Sequence, residues 1–328
     1  MSDLASVAGV LSHYPGVAAQ SVESLGGAGG FSGAAFWKVS CGDSTLCLRR
    51  WPKEHPSRTQ LQWLHEVICR VSANGFAKVP TPIQSRGGQT FVSLEGQYWE
   101  LTAWLPGTAD FREHPTSNRL DAALVALAQF HQSAESIESV AGAAPGIATR
   151  REQLDRLCLG EAEEMSRAVA AMDWAEFQSR AATIMYWFDE LSAETKPILE
   201  LASRSRFRLQ PCIRDVWHDH VLFEGEEVSG IVDFGAMRVD HVACDVARLL
   251  GSLVGGDRTN WKQGLAAYQS LRPLSLDELA LVDAYDRSTV LLSGMNWVQW
   301  VAVELRKFEN HEVILARLDE IIARLAEM

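Results

Sequence analysis

Apolar and polar positions alternate in short runs through the first third of the chain, a pattern typical of strands with one buried face. Five such runs precede residue 106, and they cover residues 21–25, 34–40, 45–50, 89–94 and 97–105. Residues 57–74 instead carry apolar side chains at every third or fourth position, which predicts a helix. A shorter helix is expected within residues 4–20, ending near Pro15. The front of the chain therefore predicts a small antiparallel sheet with one main helix.

The pattern becomes mostly helical after Pro106–Gly107, a pair that interrupts regular structure. Helical spacing covers residues 120–134, 150–203 and the stretch from residue 245 to the end. One hairpin interrupts the helices, with strand-like runs at residues 220–223 and 228–234. Residues 135–148 are rich in Ser, Ala and Gly and predict a loop. The whole pattern predicts an α+β chain, with a small β-sheet lobe followed by a larger, mostly helical lobe.

Charge changes at the same point of the chain. Residues 1–106 carry 8 basic and 7 acidic side chains, whereas residues 107–328 carry 22 and 35. The net charge of −12 would repel nucleic acid and anionic membranes, so we expect neither as a partner. Together with the change of pattern, this predicts two domains with different roles, residues 1–106 and residues 107–328.

The cysteines and the N-terminus indicate a cytoplasmic protein. None of the six cysteines forms a CxxC pair, and most lie in apolar runs, where free cysteine behaves as a small hydrophobic residue. A reducing compartment is the simplest interpretation. The first residues lack the basic and long apolar stretches of a signal peptide, and no window of the sequence reaches ~20 consecutive apolar residues.

Two acidic residues stand on either side of the hairpin. Asp215 precedes a loop of polar and aromatic residues, and Asp233 lies at the end of the apolar run 228–234. Two carboxylates carried by the two ends of one short hairpin are expected to converge on a common point. One can then orient a hydroxyl nucleophile while the other holds Mg²⁺, and phosphoryl transfer requires both roles.

The segment 212–252 resembles the catalytic block of the aminoglycoside phosphotransferase/choline kinase-like family, which has the protein-kinase-like two-lobed fold. The sequences IRD (213–215), VDFG (232–235) and CDVA (244–247) match its catalytic triplet, its metal motif and its following D-x-A turn. The resemblance implies that Asp215 is the catalytic base, that Asp233 is an Mg²⁺ ligand, and that Asp245 supports the loop. A helix N-cap is the simpler interpretation of Asp245, and it is compatible with that role.

The resemblance extends to nucleotide binding in residues 1–106. The glycine cluster 26–33 matches the family loop that covers the phosphates, which implies contacts from Gly27, Gly29, Gly30, Phe31 and Ser32. Without the resemblance, the same glycines would predict an ordinary flexible hairpin loop. The segment ELTAWLPG (100–107) resembles the strand and hinge that receive adenine, which implies nucleotide contacts from Glu100 and Thr102.

The chain departs from the family at the phosphate-binding lysine of the third strand. Arg49 and Arg50 are available there, and we favour Arg49 because Leu46 and Leu48 indicate that the Arg50 face is buried. Arginine binds phosphate through a planar fork of donors rather than as a point charge. Glu66 is the only acidic residue of helix 57–74 that could pair with it, but Glu66 is also compatible with a solvent-facing position.

A second departure concerns the metal site and the acceptor. His220 stands five residues after Asp215, where the family has a metal-binding Asn, and imidazole is a poorer Mg²⁺ ligand than oxygen. Asp219 or a water could supply the oxygen instead, and His220 could equally be a buried histidine that closes the loop. Four residues are candidates for acceptor contacts and are also explained by packing: Trp217, His218, Trp297 and Trp300.

These features predict an enzyme that uses ATP, or another nucleoside triphosphate, and Mg²⁺ to phosphorylate a hydroxyl of a small molecule. The acidic helical lobe favours an amino sugar, an amino alcohol or a homoserine-like acceptor. Because of His220 and the missing lysine, the alternative is a pseudokinase that binds nucleotide or ligand without efficient turnover. A purely structural helical protein is the third hypothesis.

Overall fold

The computed structural model describes residues 2–26, 33–306, 308 and 310–328. It divides into two compact units. The first unit contains Met1–Ile137 and His218–Met237, and the second contains Glu138–Trp217 and Arg238–Met328. This division by compactness differs from the single boundary expected after residue 106, which stays a prediction about functional lobes.

The first unit contains a five-stranded antiparallel sheet with strand order β1-β2-β3-β5-β4. Its strands are β1 (Ser21–Gly26), β2 (Ala35–Cys41), β3 (Ser44–Arg50), β4 (Val92–Leu94) and β5 (Gln97–Ala103). All five strands that alternation predicts are confirmed, although β4 is shorter than the expected 89–94. In the β3–β5 register, Arg49 lies directly opposite Glu100.

One face of this sheet is packed against helix α1 (Ser2–Leu11). The side chains of Trp37 and Trp99 stack there with their ring centroids 5.2 Å apart, in a cluster that includes Val7 and Val10 of the helix. Helix α1 ends at Leu11, before the end expected near Pro15, and Gly16 adopts a φ of 83° in the turn that follows. The apolar alternation of the strands thus produces a buried layer under α1.

Two further helices and a hairpin complete the first unit. Helix α2 (Arg58–Ala73) starts at the N-cap Ser57, and helix α3 (Ser117–Glu135) starts at the N-cap Thr116. Strands β8 (Val221–Glu224) and β9 (Glu227–Ile231) form the hairpin, and α3 packs against β9. The predicted helices at 57–74 and 120–134 and the predicted hairpin are confirmed.

The second unit is mostly helical. Its helices are α4 (Pro145–Arg156), α5 (Ala162–Ala170), α6 (Ala175–Arg204), α7 (Ala243–Val254), α8 (Arg258–Gln269), α9 (Leu276–Val298) and α10 (His311–Ala326). Helices α6 and α9 pack so closely that a Cβ atom on Gly294 would lie 2.6 Å from Cγ2 of Ile184. The absence of a side chain at Gly294 therefore sets the distance between the two longest helices of this unit.

A small antiparallel sheet of the second unit was not predicted. It has the order β10-β7-β6, formed by β6 (Val140–Gly142), β7 (Phe207–Cys212) and β10 (Arg238–Asp240). The predicted loop 135–148 is wrong where β6 lies. Strands of three residues are too short for alternation to be visible, and β7 is buried over its last four residues rather than on alternate ones.

Neither long apolar helices nor disulfides occur in the described part of the chain. No described helix combines enough length with enough apolar character to cross a membrane. All six cysteines have free thiols, with Cys212 and Cys244 buried. Cytoplasmic localisation stays a prediction from the sequence.

Candidate functional site

In the first unit, Asp233 lies just beyond strand β9, where the backbone is held in an unusual conformation. Its φ is 56°, a left-handed value that a non-glycine residue rarely adopts. The N–H of Gly235 donates to Oδ1 of Asp233 over 3.3 Å. The ring of Phe234 packs against Phe130 of helix α3, with ring centroids 5.6 Å apart. The strained acid is therefore fixed from both the backbone and the following side chain.

Arg49 contacts this carboxylate from strand β3. Its Nη1 lies 3.2 Å from Oδ1 of Asp233, and the side chain is 9% exposed. The guanidinium stacks on the ring of Trp51 at 3.5 Å from the centroid, and Phe36 lies 5.1 Å away. Arg50 instead lies over Trp37 and Trp99. Of the two candidate arginines, the structure therefore brings Arg49 to the predicted metal ligand.

Glu100 and His65 form a second buried pair beside Arg49. Nε2 of His65 lies 2.6 Å from Oε2 of Glu100, and Nδ1 lies 2.7 Å from Oγ1 of Thr90. Burial acts to raise the pKa of Glu100, but the hydrogen bond and charge of His65, followed by the charge of Arg49, outweigh it and lower that pKa. Glu100 is thus an ionised acid inside the unit.

Sequence reasoning missed His65 and left the role of Glu66 open. Glu66 is half exposed and forms an ion pair with Arg70 on its own helix, so it faces solvent. The residue before it, His65, is 2% exposed and lies on the buried face of α2. A polar residue on an otherwise apolar helical face was the signal that could have identified it.

His220 provides a nitrogen near Asp233. Its Nε2 lies 3.8 Å from Oδ2 of Asp233, at the end of the short helical turn His218–His220. Burial acts to raise the pKa of Asp233, but the charges of Arg49 and His220 and the Gly235 N–H lower it overall. The ionised carboxylate of Asp233 suits Mg²⁺, which needs only one or two protein carboxylates besides nucleotide phosphates, and the imidazole of His220 is a poorer ligand.

The remaining predicted nucleotide contacts are described in part. Gly27, Gly29, Gly30, Phe31 and Ser32 lie outside the described residues. Thr102 is 8% exposed and lies opposite Cys47 in the β3–β5 register. Glu100 is occupied by His65, so its described surroundings are those of a buried ionic group. An adenine contact from either residue stays a prediction.

In the second unit, Asp245 supports the segment that carries Asp215. Asp245 has no exposed surface, and its two carboxylate oxygens accept the N–H groups of Ile213 and Arg214 at 2.7 and 2.5 Å. Arg214 has a φ of 69° and would not hold this conformation without support. Asp245 is thus the residue through which helix α7 fixes the backbone just before Asp215.

Asp215 itself is paired with Arg248, a residue that sequence reasoning missed. Nε and Nη2 of Arg248 lie 3.2 and 3.1 Å from Oδ1 of Asp215, whose side chain is half exposed. Arg248 follows Asp245 by three residues on α7, so the same helix holds both the backbone and the side chain. The helical spacing after the D-x-A turn, which places residue 248 on the same side of the helix as Asp245, was the signal that could have identified Arg248.

The four acceptor candidates differ in their surroundings. Within the second unit, the ring of Trp217 has the guanidinium groups of Arg248 and Arg317 on it, each 5.7 Å from the centroid. Trp297 is buried, and its ring packs against Trp300 and Phe308. Packing is therefore sufficient to explain Trp297.

The fourth acceptor candidate belongs to the first unit. His218 is 7% exposed, and its Nε2 lies 3.3 Å from Oδ1 of Asp219. These surroundings are those of a histidine packed at the start of the hairpin. Contacts of all four candidates with an acceptor stay predictions.

Solved structures of other proteins share the fold of this chain. The chain is similar to a spectinomycin phosphotransferase solved with ADP and spectinomycin, with a TM-score of 0.67 and 12% identity over 96% of this chain and 94% of that one. It is also similar to a microcompartment-associated aminopropanol kinase, with a TM-score of 0.64 and 15% identity over 98% and 96%. The predicted α+β, protein-kinase-like fold is confirmed.

The sequence places the chain within one family of this fold. Residues 26–282 match the model of the phosphotransferase enzyme family, so the chain belongs to that family. The resemblance read from its motifs is confirmed.

Curated relatives match at low identity. A homoserine kinase from Gluconobacter oxydans is 26% identical over 231 residues, covering 67% of this chain and 65% of that protein. A homoserine kinase from Beijerinckia indica is 28% identical over 232 residues, covering 68% and 65%. The match thus spans just under two thirds of the length of these relatives.

Proposed function

We propose that the protein transfers the terminal phosphoryl group of a nucleoside triphosphate to a hydroxyl of a small molecule, with Mg²⁺ as the cation. The observation that carries the proposal is the 3.2 Å contact between Nη1 of Arg49 and Oδ1 of Asp233. It joins the residue expected to bind phosphate with the residue expected to bind the cation, although 184 positions separate them in the sequence. Membership of the phosphotransferase family supports the same reaction.

Arg49 is proposed to bind the nucleotide phosphates. Its Nε is buried and has no hydrogen-bond partner among the residues that the structure describes. A buried donor of this kind is costly unless a ligand satisfies it, and a phosphate oxygen is a suitable acceptor. The rings of Trp51 and Phe36 keep the guanidinium in place before a nucleotide binds.

Asp233 is proposed to hold the cation, with His220 as a nearby nitrogen ligand or as a positioning group. When bound, the cation would neutralise phosphate charge and orient the transferred group. The lowered pKa of Asp233 keeps its carboxylate ionised at neutral pH, as a ligand for a hard cation must be.

Asp215 is proposed to orient the acceptor hydroxyl and to accept its proton. The fork of Arg248 holds Oδ1 of Asp215, and Asp245 holds the backbone two residues earlier, so the carboxylate has a defined direction. Such positioning is the main contribution a protein makes to phosphoryl transfer.

A homoserine-like amino acid is the first acceptor to test, because the curated relatives that match are homoserine kinases. Amino alcohols and amino sugars follow, since structural neighbours include an aminopropanol kinase and a spectinomycin phosphotransferase. The test measures nucleotide-dependent phosphorylation of each acceptor, with and without Mg²⁺.

Three variants make this test specific to the proposed residues. Asp215→Asn and Asp233→Asn should each lower turnover at least ~100-fold, as expected for a proton acceptor and for a cation ligand. Asp189→Asn changes an exposed carboxylate of helix α6 and should leave turnover unchanged. Turnover that survives both site variants would refute the assignment.

A pseudokinase is the second candidate, and a specific observation favours it. His220 provides a nitrogen where an oxygen ligand is expected, and Arg49 replaces a lysine. Under this alternative the protein would bind a nucleotide without turning over any acceptor of the panel. Isothermal titration with AMP-PNP, measured beside the turnover assay, separates the two functions.

A further inference from the structure

Beside Arg49, the first unit contains three polar residues joined by side-chain contacts, of which His65 and Glu100 are buried and Thr90 is partly buried. Thr90, His65 and Glu100 are linked by contacts of 2.7 and 2.6 Å, and Glu100 lies directly opposite Arg49 across the β3–β5 pair. Opposite residues of an antiparallel pair point to the same face of the sheet. These contacts therefore end on the sheet face that carries Arg49, whose charge helps to lower the pKa of Glu100.

The burial of Arg49 and Glu100 indicates what these side-chain contacts do. Arg49 and Glu100 are 7% and 6% exposed, and a buried guanidinium is stable only beside a compensating negative charge. Asp233 is a poor permanent partner, because its side chain is 39% exposed and its carboxylate is the proposed cation ligand. Glu100 has no such competing role, so it can balance Arg49 whether or not a cation is bound.

His65 determines the direction of the Glu100 carboxylate. An ionised carboxylate only accepts hydrogen bonds. Nε2 of His65 therefore carries a hydrogen and donates a hydrogen bond to Oε2 of Glu100. The imidazole is fixed in turn by Thr90 at Nδ1 and by the edge contact of its ring with Phe91, at 6.0 Å between centroids. Thr90 and Phe91 thus restrict the ring of His65, and His65 restricts the carboxylate of Glu100.

We propose that His65 and Glu100 are positioning residues that orient Arg49 for binding of the nucleotide phosphates. In this protein they take the role that the sequence analysis considered for Glu66, the acidic residue of helix α2. The proposal rests on the proposed nucleotide binding by Arg49. It differs from the sequence expectation that Glu100 contacts adenine, and it assigns a role to His65, which no motif identified. Glu66 cannot position Arg49, because its carboxylate faces solvent and forms an ion pair with Arg70.

The test compares a nucleotide analogue, AMP-PNP, with adenosine, the nucleoside that lacks its phosphate groups. Isothermal titration with AMP-PNP and with adenosine is carried out on wild-type protein and on Glu100→Gln and His65→Leu. We expect the Kd for AMP-PNP to rise ~10-fold in both variants, the effect of losing one hydrogen bond to a charged group. The Kd for adenosine should change less than twofold, because Arg49 is proposed to bind the phosphates, which adenosine lacks.

Two further variants distinguish positioning from general damage. His65→Gln retains an N–H donor for Glu100 and should recover most of the AMP-PNP affinity. In an Arg49→Gln background, His65→Leu should cause no additional loss, because the residue through which it acts is gone. Glu66→Gln is the matched control on the same helix and should bind both ligands as the wild type does.

The outcomes separate this proposal from the proposed function. Equal losses for AMP-PNP and adenosine would overturn it in favour of an adenine contact or a damaged fold. Unchanged AMP-PNP affinity in Glu100→Gln would also overturn it, while leaving nucleotide binding and turnover intact. If wild-type protein bound AMP-PNP but phosphorylated no acceptor, the kinase function would fail and the positioning role would still be decided by the titrations.

Discussion

The buried carboxylate of Asp245 provides a strong test of how the second unit positions Asp215. Asp245 accepts the N–H groups of Ile213 and Arg214, and it has no exposed surface. Asp245→Asn keeps the size and shape of the side chain but replaces one oxygen by an NH₂ group. One of the two backbone N–H groups then faces a donor instead of an acceptor.

The expected cost follows from these two contacts. A hydrogen bond to a charged group contributes about 1.5–3 kcal/mol, and leaving a buried N–H without a partner adds desolvation. We therefore expect Asp245→Asn to lower the free energy of unfolding by about 2–4 kcal/mol. A domain with an ordinary stability of about 5–15 kcal/mol would remain folded at 25 °C.

Urea unfolding measures this loss, and steady-state kinetics measures its consequence for Asp215. Because Arg214 has a φ of 69°, we expect it to relax once its N–H is released, and Asp215 to move with it. The kcat for the best acceptor should fall at least ~10-fold, while the KM for the nucleotide should change little.

Asp257→Asn is the matched control for this prediction. Asp257 is the N-cap of helix α8, and its carboxylate also accepts two backbone N–H groups, from Thr259 and Asn260. Because Asn caps a helix about as well as Asp, this change should cost less than about 0.5 kcal/mol of stability and leave kcat unchanged. A change in unfolding free energy below ~0.5 kcal/mol in Asp245→Asn would contradict the energetic argument, and an unchanged kcat would contradict the positioning argument.

Three other predictions follow from single contacts. Arg248→Lys removes the two-donor fork on Oδ1 of Asp215, so kcat should fall ~10-fold with less than a twofold change in nucleotide KM, and an unchanged kcat would refute the role of the fork. The hydrogen bond from His241, opposed by burial, lowers the pKa of Glu278 to about 2, so its stabilisation should be present above pH ~5 and lost as the pH falls toward 2. In urea unfolding, Glu278→Gln should cost about 2 kcal/mol at pH 7 and progressively less at pH 4 and 3, whereas a difference independent of pH would contradict this. Gly294→Ala places a Cβ 2.6 Å from Ile184 and should lower stability by about 1–3 kcal/mol, seen as a lower melting temperature, and an unchanged melting temperature would mean that α6 and α9 can separate at little cost.

Features that depend on neighbouring residues could be predicted from the sequence. Strand alternation placed the five strands of the first unit and favoured Arg49 over Arg50 as the candidate phosphate-binding arginine, and Arg49 is the one that contacts Asp233. Both results depend only on a period of two residues, which is a local property of the chain. The hairpin and the helices at 57–74 and 120–134 were predictable for the same reason.

Features that depend on short elements could not be predicted. Strands β6 and β10 have three residues each, so no period can be seen in them, and they exist because β7 pairs with both. Their partner is more than 60 residues from β6 in the sequence and about 30 from β10. Tertiary pairing rather than local pattern therefore creates this sheet.

His65 combines a feature that could be predicted from the sequence with one that could not. Helical spacing identifies its position as part of the buried face of α2, so that fact was within reach of the sequence. The direction in which α2 packs was not, and without it neither the 2.6 Å contact between His65 and Glu100 nor the outward position of Glu66 could be inferred. A buried histidine on an apolar face requires a partner, because leaving its N–H unpaired costs about 1–3 kcal/mol. The most useful question about such a residue is therefore which buried acid lies within its reach, and in this chain the answer leads to the arginine proposed to bind phosphate.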